Sequence, residues 1–460
     1  MQGYRARSLS PVEVVDACLA RIHALNPKLN AIVTITEEAA RQQAVLAEQQ
    51  FATDPEAAAP LCGIPFTVKD TLPTAGVRTT FGSPIFADFV PTEDAAAVAA
   101  IRRAGGVLVG KTNTPTLGWI TATHNRLFGP TPNPWNLSVT AGGSSGGAAV
   151  SALAGFAPVN IGTDGGGSIR VPASFTATVG FKPSYGRVPN YPTGPNWGLQ
   201  HIGPLGRTVE EVATVLDVLA ASDERDPYSL PAPGIRYREC IRSAPKNLRL
   251  LFCPDFGYAE AVDPEVVTIC RRAAGALEQL GHGVTEQVPN WSSPLSFWRT
   301  LFVTGASYRL ALYLPEHAQH IEDKLRELIE EAKALPPDAY YRAWLQKNEW
   351  WQEVRATCDD YDLVLSPVTA CPPFSVGQDS PGEVAGKPVS FYGWLPFTVP
   401  FNVTGQPAIS VPAGMTAAGL PVGLQIAGNR FADDLVLALA AEYEALRPWS
   451  SHVSPLLSTP

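Results

Sequence analysis

Three groupings of residues in this 460-residue chain have the types and spacing for chemistry. Gly105-x4-Gly110-Lys111-Thr112 satisfies the letters of a phosphate-binding loop, which needs a strand, a cradle of backbone N–H groups and a helix starting at the lysine. Here Val107-Leu108-Val109 fills the supposed cradle and reads as a strand, and Pro115 stands where the helix would begin, so nucleotide binding is not expected. Gly142-x-Ser144-x-Gly146 has the spacing of a nucleophile elbow. The residues before it, Pro132, Pro134 and Asn136, cannot form the central strand an elbow follows, and no downstream Asp and His stand out as partners. A glycine turn that packs a helix against a sheet is the competing reading of that loop.

The third grouping is a combination. Ser144 and Ser168 lie 24 residues apart, each at the end of a glycine-rich loop, and Lys69 lies 75 residues before Ser144 at the end of a strand. A serine hydroxyl is a poor nucleophile until a base takes its proton, and a lysine serves when desolvation lowers its pKa towards neutrality. The apolar strand Ile64, Phe66, Val68 could deliver Lys69 into a buried cleft. The run Gly165-Gly166-Gly167-Ser168 lets backbone N–H groups approach a developing oxyanion without Cβ clashes.

The elements that must position these residues read as a mixed α/β chain. Ser10-Pro11-Val12-Glu13 combines an N-cap, a proline at the first helical position and a Glu three residues on, and the helix it opens should stop before Pro27. Residues 30–36 read as a strand, 37–50 as a helix, 63–68 as a strand ending at Lys69-Asp70, 93–104 as a helix and 107–109 as a strand. Residues 129–147 read as loop, 148–155 as a short helix, 157–161 as a strand and 162–168 as a second glycine-rich loop. Helices are expected after Thr208 and from Asp263 to Gly281, and a strand at 361–365, a loop at 366–400 and a strand-helix unit at 407–446 complete the pattern. Residues 222–245 and 283–350 are the least regular.

Composition excludes several classes. Hydrophobic residues are 45% and charged residues 17%, so a disordered polar chain is excluded. Lys plus Arg is 34 against 43 Asp plus Glu, a net charge of −9 without long runs of either sign, which argues against nucleic acid or an anionic membrane as partner. No apolar stretch reaches bilayer length and the N-terminus lacks a signal-peptide core, so a cytoplasmic protein is expected. The seven cysteines are scattered without a C-x-x-C pair and read as free thiols. Only His317 and His320 stand one helical turn apart, with no third ligand nearby, so neither a metal nor another cofactor is expected.

The strings GIPFTVKD, GKTN, NPWN followed by GGSSGG, GTDGGGSIRVPA and GFKPSYGRVP, with FTVPFNVTGQPAISVPAG and GLPVGLQIAG near the C-terminus, are similar to the amidase signature family of serine hydrolases. The resemblance spans about residues 60–220 and 360–445. It implies a single α/β domain over residues 1–460 with a mixed, mostly parallel central sheet wrapped by helices, and a variable helical cap at about 225–358. It implies Ser168 as nucleophile, Ser144 as the bridging serine after a cis peptide from Gly143, and Lys69 as general base. The N–H groups of Gly165, Gly166, Gly167 and Ser168 would form the oxyanion hole, and Asp164 with Arg170 an ion pair that holds the loop. Ser145 is left between a substrate contact and a loop contact, while Asn113, Trp135 and Lys182 read as scaffold. The chain departs from the commonest pattern at Ala141, where relatives have proline, and at Gly165, where they have an apolar residue. A first helix of longer relatives is expected to be missing.

The same resemblance implies hydrolysis of C–N bonds by a monomer or homodimer. By elimination the substrates are small hydrophobic amides or carbamates, as in amidases, aryl acylamidases or urethanases. Trp119, Phe374, Tyr392 and Trp394 could line the pocket, with core packing as the competing role for each. The alternatives are a glutaminase-type subunit of a transfer-RNA amidotransferase, a hydrolase of urea derivatives of the biuret or allophanate type, or a binding subunit without turnover.

Overall fold

The structure is a computed structural model that describes residues 1–243, 245–449 and 454–457. Helix α1, Pro11–Leu29, starts where the Ser10 hydroxyl accepts the Val12 N–H at 3.0 Å and Glu13 accepts the Ser10 N–H at 3.0 Å. It runs through Pro27 to a left-handed Asn30, past the expected stop. A proline in the last turn forfeits one N–H bond next to carbonyls that are unpaired in any case, so the helix end tolerates it.

Eleven strands form one sheet: β1 Ile32–Ile35, β2 Pro65–Lys69, β3 Val107–Thr112, β4 Val159–Asp164, β5 Val179–Lys182 and β6 His201–Gly206, then β7 Arg249–Phe252, β8 Gly283–Glu286, β9 Leu363–Pro367, β10 Ala408–Met415 and β11 Pro421–Gly428. Their order is β1-β3-β2-β4-β6-β5-β10-β11-β9-β7-β8. The sheet is mixed, as expected, but it is not mostly parallel. Parallel pairing is confined to β3-β2-β4 and β9-β7-β8, while β1 and the middle strands from β4 through β9 pair antiparallel. The short connection from β10 to β11 through Thr416–Leu420 accounts for one antiparallel pair, since a parallel pair needs a long crossover.

Helices α3 Ala96–Arg103, α6 Val209–Leu219, α7 Pro264–Ala276 and α12 Asp433–Leu446 bury one continuous core against the sheet, with Phe66 and Val68 of β2 in it. Successive strand residues face opposite ways, so Lys69 is directed to the other face. There lie α4, Gly146–Ala154, and α5, Arg170–Thr176, the helices that follow the two glycine-rich loops. The second of those loops is shorter than expected, because β4 continues to Asp164 in register with His201. Within the first, Pro132–Asn133 and Asn136–Thr140 pair as a small hairpin, held where Asn133 Nδ2 donates to Phe175 O at 2.7 Å.

The segment expected as a cap divides in two. Residues through Glu286 supply β7, α7 and β8 to the main sheet, whereas α8 Leu295–Leu310, α9 Asp323–Lys333 and α10 Ala339–Cys358 pack on one another over the glycine loops. Strand patterning at 249–252 and 283–286 is too short, at four residues each, to stand out in the sequence.

The start of α4 is pressed against the end of β3. A Cβ on Gly147 would lie 2.4 Å from Asn113 N and 2.7 Å from Ala31 O, both backbone atoms that cannot swing aside. Gly147→Ala is therefore expected to lower unfolding stability by about 1–3 kcal/mol, read as a lower urea midpoint; an unchanged midpoint would contradict this packing.

Candidate active site

Lys69 is fully buried at the C-terminal end of β2, with its Nζ 2.6 Å from Ser144 Oγ and 2.8 Å from Thr163 Oγ1. Burial lowers its pKa from the ordinary lysine range to about 7, against a smaller upward pull from the Asp164 carboxylate. Both partners are hydroxyls, which donate or accept equally well, so they serve an ammonium and a neutral amine alike. Lys111 makes the contrast. It is as deeply buried, but its Nζ donates to Leu72 O, Thr74 Oγ1 and Thr79 Oγ1 at 2.6–2.9 Å, so all three ammonium hydrogens have acceptors and one is a carbonyl that only accepts. Lys111 also lies inside β3, where no phosphate cradle exists.

Ser144 follows a cis peptide from Gly143, and Ser145 sits between the two glycine loops. The Ser145 N–H donates to Ser168 O at 3.0 Å, while its hydroxyl donates to Thr163 O at 3.1 Å and accepts the Thr163 N–H at 3.2 Å. Its hydroxyl thereby ties the loop of Ser144 to the strand before Ser168. Thr163, which the motif reading passed over, is both the second partner of Lys69 and the anchor for Ser145. Its only signal in the sequence is its place inside the GTDGGGS string.

Ser168 begins the turn into α5 and is 6% exposed. Asp164 and Arg170 form a fully buried pair beneath it. Arg170 Nε and Nη2 each donate to the carboxylate at 3.0 Å, and its remaining N–H groups reach Thr398 O, Gln425 Oε1 and Asn402 Oδ1. Burial alone would raise the Asp164 pKa, but the Arg170 guanidinium outweighs it and holds the carboxyl ionised, below the usual carboxylate range. The carboxylate also accepts the Gly167 N–H at 2.7 Å and the Ile169 N–H at 3.1 Å. Gly167 is thus removed from the expected oxyanion set by its carboxylate contact. Among the described residues, no acceptor takes the N–H of Gly165, Gly166 or Ser168.

Two of the loop glycines have no room for a side chain. A Cβ on Gly166 would meet Trp298 at 2.5 Å, and Gly167, at φ +128°, would meet Thr398 Oγ1 at 2.6 Å. Gly165 is different: its nearest contact would be Phe302 Cε2 at an ordinary 3.8 Å. Trp298, on α8, donates its indole N–H to Gly165 O at 2.9 Å and stacks on Phe302 with centroids 5.0 Å apart. Tyr392 meets Trp298 edge-on at 5.1 Å and Phe391 at 4.8 Å, and Phe391 stacks on Trp119 at 6.0 Å. Trp119 and Tyr392 therefore join an aromatic wall beside the second loop. Trp394 packs on Phe175 of α5 in the interior, while the half-buried Phe374 touches Phe175, Trp394 and the cluster of Trp119. Trp298 and Phe302 were not legible as site residues, because their four-residue spacing marks a buried helical face wherever it occurs.

The arrangement combines a buried amine of near-neutral pKa held against two hydroxyls, a second serine on a loop with unpaired N–H groups, and an aromatic wall. The described residues contain no cluster of His, Cys, Asp and Glu able to hold a metal. The sequence profile of the family described as Amidase matches residues 13–437. An acylamidase of Rhodococcus erythropolis is 40% identical over 97% of this chain and 94% of its own. A glutamyl-tRNA(Gln) amidotransferase chain of Geobacter metallireducens is 35% identical over 97% and 96%. Among solved structures, a bacterial aryl acylamidase of the amidase signature family superposes with a TM-score of 0.93 at 30% identity over 100% of this chain and 97% of that one. A 6-aminohexanoate cyclic dimer hydrolase gives 0.91 at 30% identity over 99% and 98%.

Removing one partner of the buried pair leaves an uncompensated charge. Arg170→Met is expected to cost about 3–5 kcal/mol of folding stability, seen as a marked fall in thermal midpoint; wild-type stability would show that Asp164 does not depend on Arg170.

Proposed function

The chain belongs to the amidase family and is a hydrolase of carbon–nitrogen bonds other than peptide bonds, and from that premise we propose how its residues divide the reaction. Neutral Lys69 accepts the Ser144 proton, Ser144 takes the proton of Ser168, and the Ser168 Oγ attacks the amide carbonyl. The N–H groups of Gly165, Gly166 and Ser168 receive the oxyanion. The relay reverses to protonate the leaving amine, and water then hydrolyses the acyl-Ser168 ester by the same path. The observation that carries this reading is the fully buried Lys69 Nζ at 2.6 Å from Ser144 Oγ.

The substrates we propose are small hydrophobic amides, with carbamates as the close extension. The wall of Trp119, Phe391, Tyr392, Trp298 and Phe302 supports an aromatic or bulky apolar group next to the scissile bond. A free-standing enzyme is favoured over a transfer-RNA amidotransferase component by the 40% identity to the acylamidase against 35% to the amidotransferase chain. The cytoplasm is the compartment we propose. The seven free cysteines support it, and no described helix is long and apolar enough to cross a membrane.

Incubation of the purified chain with a chromogenic anilide is expected to give turnover without partner proteins; activity on glutamine alone, and only with added partners, would favour the amidotransferase reading. Ser168→Ala and Lys69→Ala are each expected to lower kcat/KM by at least about 1,000-fold, and near-normal rates in either variant would overturn the assignment. Because only the neutral amine acts as base, wild-type kcat/KM should climb with pH by about tenfold per unit on the acid side until the pH approaches about 7. A rate that falls over that interval would contradict a lysine base.

A further inference from the structure

The turn Thr116–Gly118 covers the edge of the Lys69–Ser144 pair. Leu117, at φ 51°, and Gly118, at φ 74°, both adopt left-handed backbone conformations. A Cβ on Gly118 would stand 3.1 Å from Ser144 Oγ and 3.9 Å from Lys69 Nζ, so the position of this turn decides how closely the pair is enclosed. Two contacts hold the turn in place. The Leu117 N–H donates to Phe81 O at 2.7 Å, and Phe81 in turn donates to the carbonyl of Asp70, the residue after Lys69. The second contact is the Thr116 hydroxyl, which lies 2.9 Å from Gly82 O and 2.8 Å from Glu322 Oε1.

That second contact contains one hydrogen too few. A threonine hydroxyl carries a single hydrogen, and both of its neighbours are acceptors if Glu322 is a carboxylate. One of the two oxygen pairs would then face each other without a proton between them. Both become hydrogen bonds when Glu322 is protonated: its O–H donates to Thr116 Oγ1, and Thr116 donates to Gly82 O.

The surroundings of Glu322 fit a neutral acid. It is 9% exposed at the entrance to α9, between Ile321 and Leu325, which share a cluster with Trp119 and Ile120. Its Oε2 has no partner among the described residues, an arrangement costly for a carboxylate and acceptable for a neutral acid. The basic side chains that face it make no hydrogen bond to it. Arg126 donates to Gln319 O and Asp323, and His124 stands 3.0 Å from Asp379. On its own helix, Arg326 pairs with Asp323. Burial raises the Glu322 pKa, against smaller downward pulls from its hydrogen bonds and from Arg126 and His124.

We infer that Glu322 is held as a neutral carboxylic acid and is a positioning residue, whose proton joins the helical cap to the turn that encloses Lys69 and Ser144. The inference rests on those two residues being the working pair. Loss of the proton at high pH turns the Thr116 hydroxyl towards Glu322 and leaves Gly82 O unpaired, which loosens the turn. The wild-type rate should therefore fall again on the alkaline side, after the rise governed by Lys69. Glutamine supplies an N–H donor at the same place and does not titrate, whereas alanine supplies nothing.

The test pairs Glu322→Gln with Glu322→Ala on the full chain. An infrared difference spectrum between wild type and Glu322→Gln at neutral pH should contain one protonated-carboxyl band belonging to Glu322. With an anilide substrate, Glu322→Ala should lose about tenfold or more in kcat with a smaller change in KM, by displacement of the turn. Glu322→Gln should recover most of that loss and lack the alkaline fall. Absence of the carboxyl band, or a glutamine variant as impaired as alanine, would overturn the inference. The spectrum is read without turnover, so a chain that hydrolyses no amide contradicts the proposed function while the band still decides the state of Glu322.

Discussion

A primary amine shut away from water is the constraint on which the rest of this structure depends. In solution an ammonium keeps its proton to about pH 10.4, and transfer into a poorly hydrated interior withdraws the solvation that keeps it charged. Lys69 sits in such an interior with two hydroxyls as its hydrogen-bond partners among the described residues, and its pKa falls to about 7. The Asp164 carboxylate is engaged by Arg170 and accepts three backbone N–H groups as well, which limits its pull on the amine. Lys111, with three acceptors around its Nζ, shows the other way to bury a lysine. Burial lowers the pKa of Lys111 to about 7 as well, so what sets Lys69 apart is its direct contact with the Ser144 hydroxyl.

The loops around this amine are shaped by contact as much as by flexibility. Gly147, Gly166 and Gly167 lack a Cβ because Asn113, Trp298 and Thr398 occupy the space, and Gly162 lacks one because Ser145 does. The Asp164–Arg170 pair then gathers Gly167, Ile169, Thr398, Asn402 and Gln425 around one buried centre, which joins the loop of Ser168 to segments far along the chain. Buried ion pairs contribute little net stability, and their value here is geometric: the pair fixes which backbone N–H groups are engaged and which stay free.

Much of this was legible in the sequence wherever a local rule carried the signal. The capping box at Ser10, the strand into Lys69, the helix after Thr208 and the two glycine loops all follow from short-range chemistry. The resemblance to a known family grouped Lys69, Ser144 and Ser168, and the structure pairs Lys69 with Ser144. What escaped depended on contacts between distant segments. The antiparallel middle of the sheet, the short strands at 249–252 and 283–286, and the contacts of Ser145 are settled by pairing between segments far apart in the chain or by hydrogen bonds with no pattern in sequence. Trp298 and Phe302 looked like any buried helical face, and only the fold carries them to Gly165. Trp394 went the opposite way, from a possible pocket wall into the core around Phe175.

One buried lysine whose pKa falls to about 7 is the centre of the proposed mechanism, and direct titration of its nitrogen tests it. Lysine labelled with ¹⁵N at Nζ, with Lys69 assigned by its loss in Lys69→Met, reports protonation through the nitrogen chemical shift. A midpoint near pH 7 is expected for Lys69. A midpoint in the ordinary lysine range, near pH 10.4, would mean that burial does not discharge the amine, and a lysine-driven serine relay would then be contradicted.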